Sequence, residues 1–203
     1  METRPPARAR GRPSDDSIDR GLLEAALAEF NERGYHAMSM ESIAARAGVS
    51  KVSLYRRWDS KPAIVAEVFR FMSETAPSED RGSFEADIRA LLDESIGSNA
   101  ARSAGKVVMR TMGEISGDPE LLALYRRHLL TPRMEQLRTL VKRAKARGEL
   151  RAEVQIDVAC AMIAGPLFLY YLTLLADAEV DMPRDLAKRL TRTILGGIAR
   201  TMY

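Results

Sequence analysis

The fold of this chain is decided by residues 39 to 61, which read SMESIAARAGVSKVSLYRRWDSK. Gly48 separates two short helical patterns, because glycine most readily adopts the left-handed conformation in which helices end. Ser50 follows, and its hydroxyl can cap the next helix by accepting from free backbone N–H groups. Small residues, Ala44 and Ala47, would let the two helices cross closely. The stretch therefore predicts a helix-turn-helix.

The outer face of the second helix carries donors suited to phosphates and base edges, namely Lys51, Ser53, Tyr55 and Arg56. With this pattern the stretch resembles the DNA-binding signature of the TetR family of bacterial transcriptional regulators, Ala-Gly-Val-Ser-Lys-x-Ser/Thr-Leu-Tyr followed by an aromatic residue and a Ser-Lys pair. The matching residues are Ala47 to Lys51, Ser53 to Tyr55, Trp58, Ser60 and Lys61. Two positions depart from the family pattern: Val52 replaces a small residue and Trp58 replaces phenylalanine. The first departure bears on which bases are read.

The rest of the chain has helical periodicity, and no stretch alternates like a strand. We predict an all-α fold, with helices near residues 17–33, 84–96, 101–115, 119–147 and 154–178 and a last helix from Pro183. Gly34 should end the first of these, and Pro132 should kink the long one. Ser39 should cap the second helix with only half of a capping box, since Ser42 stands where glutamate is preferred. Asp59 and Ser60 should open the fourth helix.

The resemblance implies two helical domains and about nine helices in total. Residues 1–14 are expected to form a disordered basic arm. Residues 15–75 form a three-helix helix-turn-helix domain together with a linking fourth helix, and residues 76–203 form a larger ligand-binding and dimerisation domain.

The predicted DNA contacts lie in the helix-turn-helix and in the arm. By resemblance, Tyr55 and Lys61 contact phosphates, whereas Lys51 and Val52 face base edges. The complete predicted set is Ser39, Ser50, Lys51, Val52, Ser53, Tyr55, Arg56, Lys61, Arg10 and Arg12. Arg46 and Arg57 fit either phosphate clamps or solvated surface, and surface is favoured for Arg57. Trp58 is expected to anchor the core.

The first 13 residues hold four arginines and one acid. Such basic termini are often disordered arms that bind nucleic acid. Arg10 and Arg12 could enter the minor groove, or the arm could be a solvated tail that adds nonspecific affinity.

Composition fits a cytoplasmic globular protein. Hydrophobic residues make up 46% and charged residues 29% of the 203 residues, the net charge is +3, and no apolar leader opens the chain. Residues 158–176 carry no charge and approach a membrane-spanning length, but Gly165 and Pro166 interrupt them and acids flank them. We expect no membrane insertion, because an apolar helix can equally be buried between subunits.

No constellation supports catalysis, and we expect no enzyme activity, no metal and no cofactor. His36 and His128 lack ligand-spaced neighbours, although His128 could line a cavity. Cys160 is expected to be a small buried hydrophobe.

The resemblance also places an effector cavity and a dimer contact in the carboxyl half. The candidate cavity residues are Met109, Met112, Tyr125, Leu129, Met162, Phe168 and Tyr171, although core packing is the favoured explanation for any single one of them. The predicted function is a homodimeric repressor that a small apolar or amphipathic effector releases from a palindromic double-stranded operator. The alternative is a nonspecific DNA-binding or protein-interaction module without ligand gating.

Overall fold

The computed structural model describes residues 15–74, 79–96, 99–115, 117–176 and 185–199. These ranges contain nine helices and no strand, apart from one isolated bridge between Leu150 and Ala199. The all-α prediction is thereby confirmed. The predicted arm, with Arg10 and Arg12, and the predicted helix start at Pro183 lie outside the described residues.

The amino-terminal half consists of α1 (Asp15–Ala37), α2 (Met40–Ala47), α3 (Lys51–Tyr55) and α4 (Lys61–Glu74). The break predicted at Gly34 is present, with φ 80° and ψ 173°, but helical turns resume to Ala37. The turn between α2 and α3 uses Gly48 in the left-handed conformation, at φ 68°. Ser50 caps α3, since its hydroxyl accepts from the Ser53 N–H at 3.2 Å.

The cap of α2 is stronger than its sequence indicated. The Ser39 hydroxyl accepts from the Ser42 N–H, and the Ser42 hydroxyl accepts from the Ser39 N–H, both at 3.1 Å. The prediction of a half-formed box was wrong, because the serine hydroxyl at the third position reaches back as a glutamate would.

The carboxyl half begins with α5 (Phe84–Ile96) and α6 (Asn99–Glu114). Helix α7 is one rod of three segments, Pro119–Tyr125, Arg126–Leu130 and Thr131–Ala146, and its middle segment is a π turn. The interruption predicted at Pro132 takes this form, since proline lacks the N–H that would continue the regular ladder. Helices α8 (Ile156–Ala176) and α9 (Leu186–Ile198) complete the described chain.

Two hydrophobic cores meet along α6 and α7. The first is built around Phe30, Leu54 and Phe69, and it also takes in Leu121 and Leu129 of α7. The second joins α5 to the inner faces of α7, α8 and α9. Helix α7 therefore contributes to both cores, and it packs against α4, the helix that follows the helix-turn-helix.

Helix α8 is apolar on two opposite faces. One face, with Ala159, Cys160 and Ile163, is buried against its own domain, while Val158 and Leu169 are exposed on the other. Its residues Ile156–Thr173 form the one helical stretch, among the described residues, that is long and apolar enough to span a membrane. Of this stretch, 28% is buried inside the protein, and its buried face packs against α6 and α7.

Candidate nucleic-acid interface and internal cavity

Helix α3 presents a polar and apolar surface to solvent. Leu54 is fully buried beneath it, whereas Val52 is 78% and Tyr55 45% exposed. Lys51 and Arg56 are exposed beside them. A short helix anchored by one leucine thus holds a hydroxyl, two cations and an apolar contact outward, which are the groups that read phosphates and base edges.

Lys51 already has a partner in the protein. Its Nζ lies 3.2 Å from Oε1 of Glu41, and both side chains are at least half exposed. The pKa of Glu41 is lowered, first by its own backbone hydrogen bond and then by Lys51. Exposed pairs of this kind contribute little free energy, so Lys51 can exchange Glu41 for a phosphate or a base at small cost.

Arg57 is a structural tether, contrary to the surface position favoured from sequence. Its side chain is only 10% exposed, and it pairs with Asp19 of α1. It also donates to the carbonyl and the hydroxyl of Ser53, each at 3.1 Å. Arg57 therefore fixes the end of α3 to α1 and engages the Ser53 hydroxyl that sequence assigned to DNA.

Arg46 is likewise held by the protein. Its Nε donates to the buried Glu29 at 2.7 Å, and its terminal nitrogens bind Glu32. Burial raises the pKa of Glu29, but hydrogen bonds from Ser42 and Arg46 outweigh it and leave the pKa lowered. Arg46 thus joins α2 to α1 while it remains exposed, as a surface cation that two carboxylates of α1 hold in place.

Lys61 lies at the start of α4. Its Nζ donates to the carbonyl of Tyr35 at 2.9 Å and lies 4.4 Å from the centroid of the Tyr35 ring. An ammonium has three donors, so this contact leaves capacity for a phosphate. Trp58 is half-buried against the first core, which is the anchoring position predicted for it.

The end of α6 joins the two halves of the chain. The Glu114 carboxylate accepts from the Tyr35 N–H at 2.8 Å, and Arg110 donates to the carbonyl of Asn31 at 2.8 Å. Sequence reasoning missed both residues, because their partners lie 79 positions away. The sequence marked only one side of this junction, at Gly34, where the backbone of α1 breaks next to the Glu114 carboxylate.

A cavity of about 340 Å³ lies between α4, α5, α6, α7 and α8. Its size falls within the range of small-molecule sites. Five of the seven candidate residues line it, namely Met109, Tyr125, Leu129, Phe168 and Tyr171.

Met112 and Met162 do not line the cavity. Met112 is half-buried and packs against both cores. Met162 lies on the exposed face of α8, because the cavity face of that helix passes through Ile163 and Leu167 instead. His128 is also absent from the lining, and Cys160 is buried, with its thiol pKa raised by burial.

Sequence reasoning missed four polar residues that line the cavity. Arg133 and Gln136 enter it from α7, and Glu94 and Ser95 enter it from α5. The Tyr171 hydroxyl donates to the Ser95 carbonyl, and burial raises the pKa of Tyr171 to about 12. The signal for Arg133 was present, since it stands four residues from Leu129 and from Leu137 on an apolar helical stripe.

Known proteins resemble the chain over nearly its whole length. Residues 22–68 match the family described as "Bacterial regulatory proteins, tetR family", and residues 78–194 match "Tetracyclin repressor-like, C-terminal domain". The uncharacterized HTH-type transcriptional regulator YdeS of Bacillus subtilis is 32% identical, over 85% of this chain and 86% of its own.

Solved structures share the fold. The fatty acid degradation regulator FadR of Bacillus halodurans matches with TM-score 0.76 and 20% identity, over 92% of this chain and 97% of its own. A putative transcriptional regulator from Saccharomonospora viridis in complex with choline matches with TM-score 0.71 and 17% identity, over 92% of this chain and 100% of its own. The transcriptional regulator FadR of Bacillus subtilis in complex with stearoyl-CoA matches with TM-score 0.69 and 18% identity, over 88% of this chain and 98% of its own. With both halves matched by the family and its helix-turn-helix in place, the chain belongs to the TetR family of bacterial transcriptional regulators.

Proposed function

We propose that this protein is a homodimeric cytoplasmic repressor, without enzymatic activity, that binds a palindromic operator and leaves it when a small molecule fills the cavity. The observation that carries the DNA-binding part is the outward face of α3, where Lys51, Val52, Tyr55 and Arg56 are exposed around a buried Leu54. In this proposal Tyr55 and Lys61 contact phosphates, and Lys51 and Val52 meet base edges.

The remaining proposed DNA contacts support this helix. Ser39 and Ser50 lie at the starts of α2 and α3, where free N–H groups favour a phosphate. Ser53 is half-buried, and its hydroxyl is shared with Arg57. Arg10 and Arg12 belong to the basic arm, which would add affinity that falls with salt.

A second copy of the chain is the proposed cover for the exposed apolar face of α8. Val158, Met162 and Leu172 are 50%, 41% and 44% exposed along that face, and Leu169 is 62% exposed. Contiguous exposed apolar residues of this kind mark interaction surfaces. A twofold axis along α8 and α9 would set two α3 helices apart by one DNA turn, roughly 34–36 Å.

Ligand gating would act through α4, which connects the cavity to the helix-turn-helix. Phe71 and Met72 of α4 form part of the cavity wall. Arg133 donates to the Met72 carbonyl at 2.7 Å, and Gln136 donates to the Ser73 carbonyl at 3.2 Å. A ligand that displaces these side chains changes how the end of α4 is held. Near-complete release requires the ligand to prefer the released state by roughly 5.5 kcal/mol.

The test is fluorescence anisotropy with a labelled palindrome from DNA flanking the gene, at physiological salt. Arg56→Ala and Tyr55→Ala should each weaken binding at least tenfold, which is about 1.4 kcal/mol. Arg151→Ala is the charge-matched control, since Arg151 is exposed on the loop before α8, remote in sequence from α3, and should bind as the wild type does.

The alternative is a nonspecific DNA-binding module. It requires equal affinity for scrambled DNA, with a steep dependence on salt. Equal binding of the palindrome and the scrambled duplex by the wild type would therefore refute the operator proposal.

A further inference from the structure

The cavity contains a cation that pairs with no carboxylate among the described residues. The Arg133 guanidinium lines the cavity, and within the described ranges its one hydrogen bond is that from Nη2 to the Met72 carbonyl. Its Nε is shielded from solvent and has no hydrogen-bond partner in the same ranges. A charged group with a desolvated donor and no carboxylate partner is costly in free energy, so the cavity favours a ligand that brings a negative charge to this guanidinium.

The surroundings of Arg133 define the rest of the ligand. Leu129, Leu137, Ile163 and Leu167 contribute apolar wall on the helices that flank it. These side chains offer burial to a hydrocarbon or aromatic body, while the guanidinium offers the paired donors that match a carboxylate or a phosphate. The cavity therefore has an apolar body and a cationic end.

Glu94 is the competing charge in the cavity. Partial desolvation raises the pKa of Glu94, and the positive charge of Arg133 acts in the opposite direction. The two side chains are not within ion-pair distance, and Glu94 is exposed whereas the Arg133 Nε is not. A hydrated carboxylate gains little from a cationic ligand, while a desolvated guanidinium gains much from an anion.

We propose that the effector is an apolar molecule with an anionic head group, and that Arg133 binds that head group. The proposal rests on the effector site proposed above and narrows its ligand class. Gln136 stands one helical turn from Arg133 and has its Oε1 buried without a partner among the described residues. This oxygen would gain a hydrogen bond if the side chain turned towards a hydroxyl or amide hydrogen near the head group.

The experiment compares three probes with the same ten-carbon chain, namely decanoate, 1-decanol and decyltrimethylammonium, by isothermal titration calorimetry on the full chain. Decanoate should bind roughly 10- to 100-fold more tightly than decanol, as expected for hydrogen bonds to a charged group. The cationic probe should bind more weakly than decanol.

Two variants at the same cavity change charge in opposite directions. Arg133→Gln should remove the preference for decanoate over decanol. Glu94→Gln should keep or strengthen that preference, because it removes the competing negative charge. Because Arg133 also holds the end of α4, circular dichroism checks that the Arg133→Gln variant is folded. Arg133→Lys, which keeps the positive charge, should retain part of the preference for decanoate.

The outcomes separate the two proposals. Equal affinity for decanoate and decanol, preference for the cationic probe, or no binding of any probe would overturn the anionic class. The wild-type comparison decides this even where a variant fails to fold. Tight decanoate binding that leaves the palindrome bound would support the head group assignment while refuting ligand-gated release. If decanol released the palindrome as readily as decanoate did, ligand-gated release would be supported and the head group assignment would be refuted.

Discussion

Replacing Gly34 with alanine tests the junction between the helix-turn-helix and the carboxyl half of the chain. Gly34 has φ 80° and ψ 173°, a conformation that is nearly restricted to glycine. A Cβ on this residue would overlap Oε1 of Glu114 and lie 3.1 Å from its Cδ. The substitution therefore strains the backbone and displaces the carboxylate that accepts from the Tyr35 N–H.

The expected loss combines two contributions. A non-glycine residue in this backbone region costs about 1–3 kcal/mol. A hydrogen bond to a charged acceptor contributes about 1.5–3 kcal/mol, and moving Glu114 aside forfeits much of it. Gly34→Ala should thus lower the free energy of unfolding by roughly 2–5 kcal/mol.

Urea denaturation followed by circular dichroism measures the loss, at fixed protein concentration because a dimer unfolds in a concentration-dependent way. Gly21→Ala is the matched control. Gly21 lies within α1, and a Cβ added there would meet no neighbouring atom within 4 Å, so alanine should stabilise the protein by roughly 0.5–1 kcal/mol.

A double-mutant cycle with Glu114→Ala separates the contributions. In that background Gly34→Ala should cost only the backbone strain, so the two substitutions should be non-additive. A Gly34→Ala protein within about 0.5 kcal/mol of the wild type, or strictly additive effects, would refute the proposed strain and the coupling through Glu114.

Three further predictions concern α3, α8 and the cavity. Arg57→Met should destabilise the protein by about 1–3 kcal/mol in urea, since it removes the tether from α3 to Asp19; an unchanged midpoint would contradict that role. Leu169→Lys should convert the proposed dimer to a monomer in light scattering, because it places a charge in the exposed apolar face of α8; a dimer that persists would show that the interface lies elsewhere. Tyr171 has a folded-state pKa of about 12, above its ordinary value of 10.0, so its contribution is complete below pH 10 and is lost as pH rises towards 12. The free energy of unfolding, measured by urea denaturation from about pH 9 to 12, should therefore fall more steeply with pH for the wild type than for Tyr171→Phe. Parallel curves for the two proteins would refute this role of Tyr171.

The helix-turn-helix could be predicted because its signals are local. Gly48 and Ser50 act on backbone groups within a few residues of themselves, and Leu54 is buried by the periodicity of a single helix. Such effects do not depend on the rest of the fold. The half-formed cap predicted at Ser39 was wrong for a small chemical reason, since a serine hydroxyl served where glutamate was expected.

The cavity could be predicted only in part. Met162 and Ile163 are adjacent and equally apolar, yet only Ile163 faces the cavity, because helix rotation is set by packing against neighbouring helices. Arg133 was overlooked although it stands on an apolar helical stripe, because such a stripe indicates burial but not which partners a buried charge has. Arg57 was assigned to the surface for the same reason, since its contact with Asp19 depends on a helix distant in sequence.

By itself, the sequence determined the helices, their caps and the family, since these depend on neighbours along the chain. Only the tertiary structure decided which charges are engaged inside the protein. It paired Arg57 with Asp19 and Glu114 with the Tyr35 N–H, and among the described residues it left Arg133 without a carboxylate partner in the cavity. The physical reason is that the free energy of a charge depends on its desolvation and its partners, and both are set by residues distant in sequence.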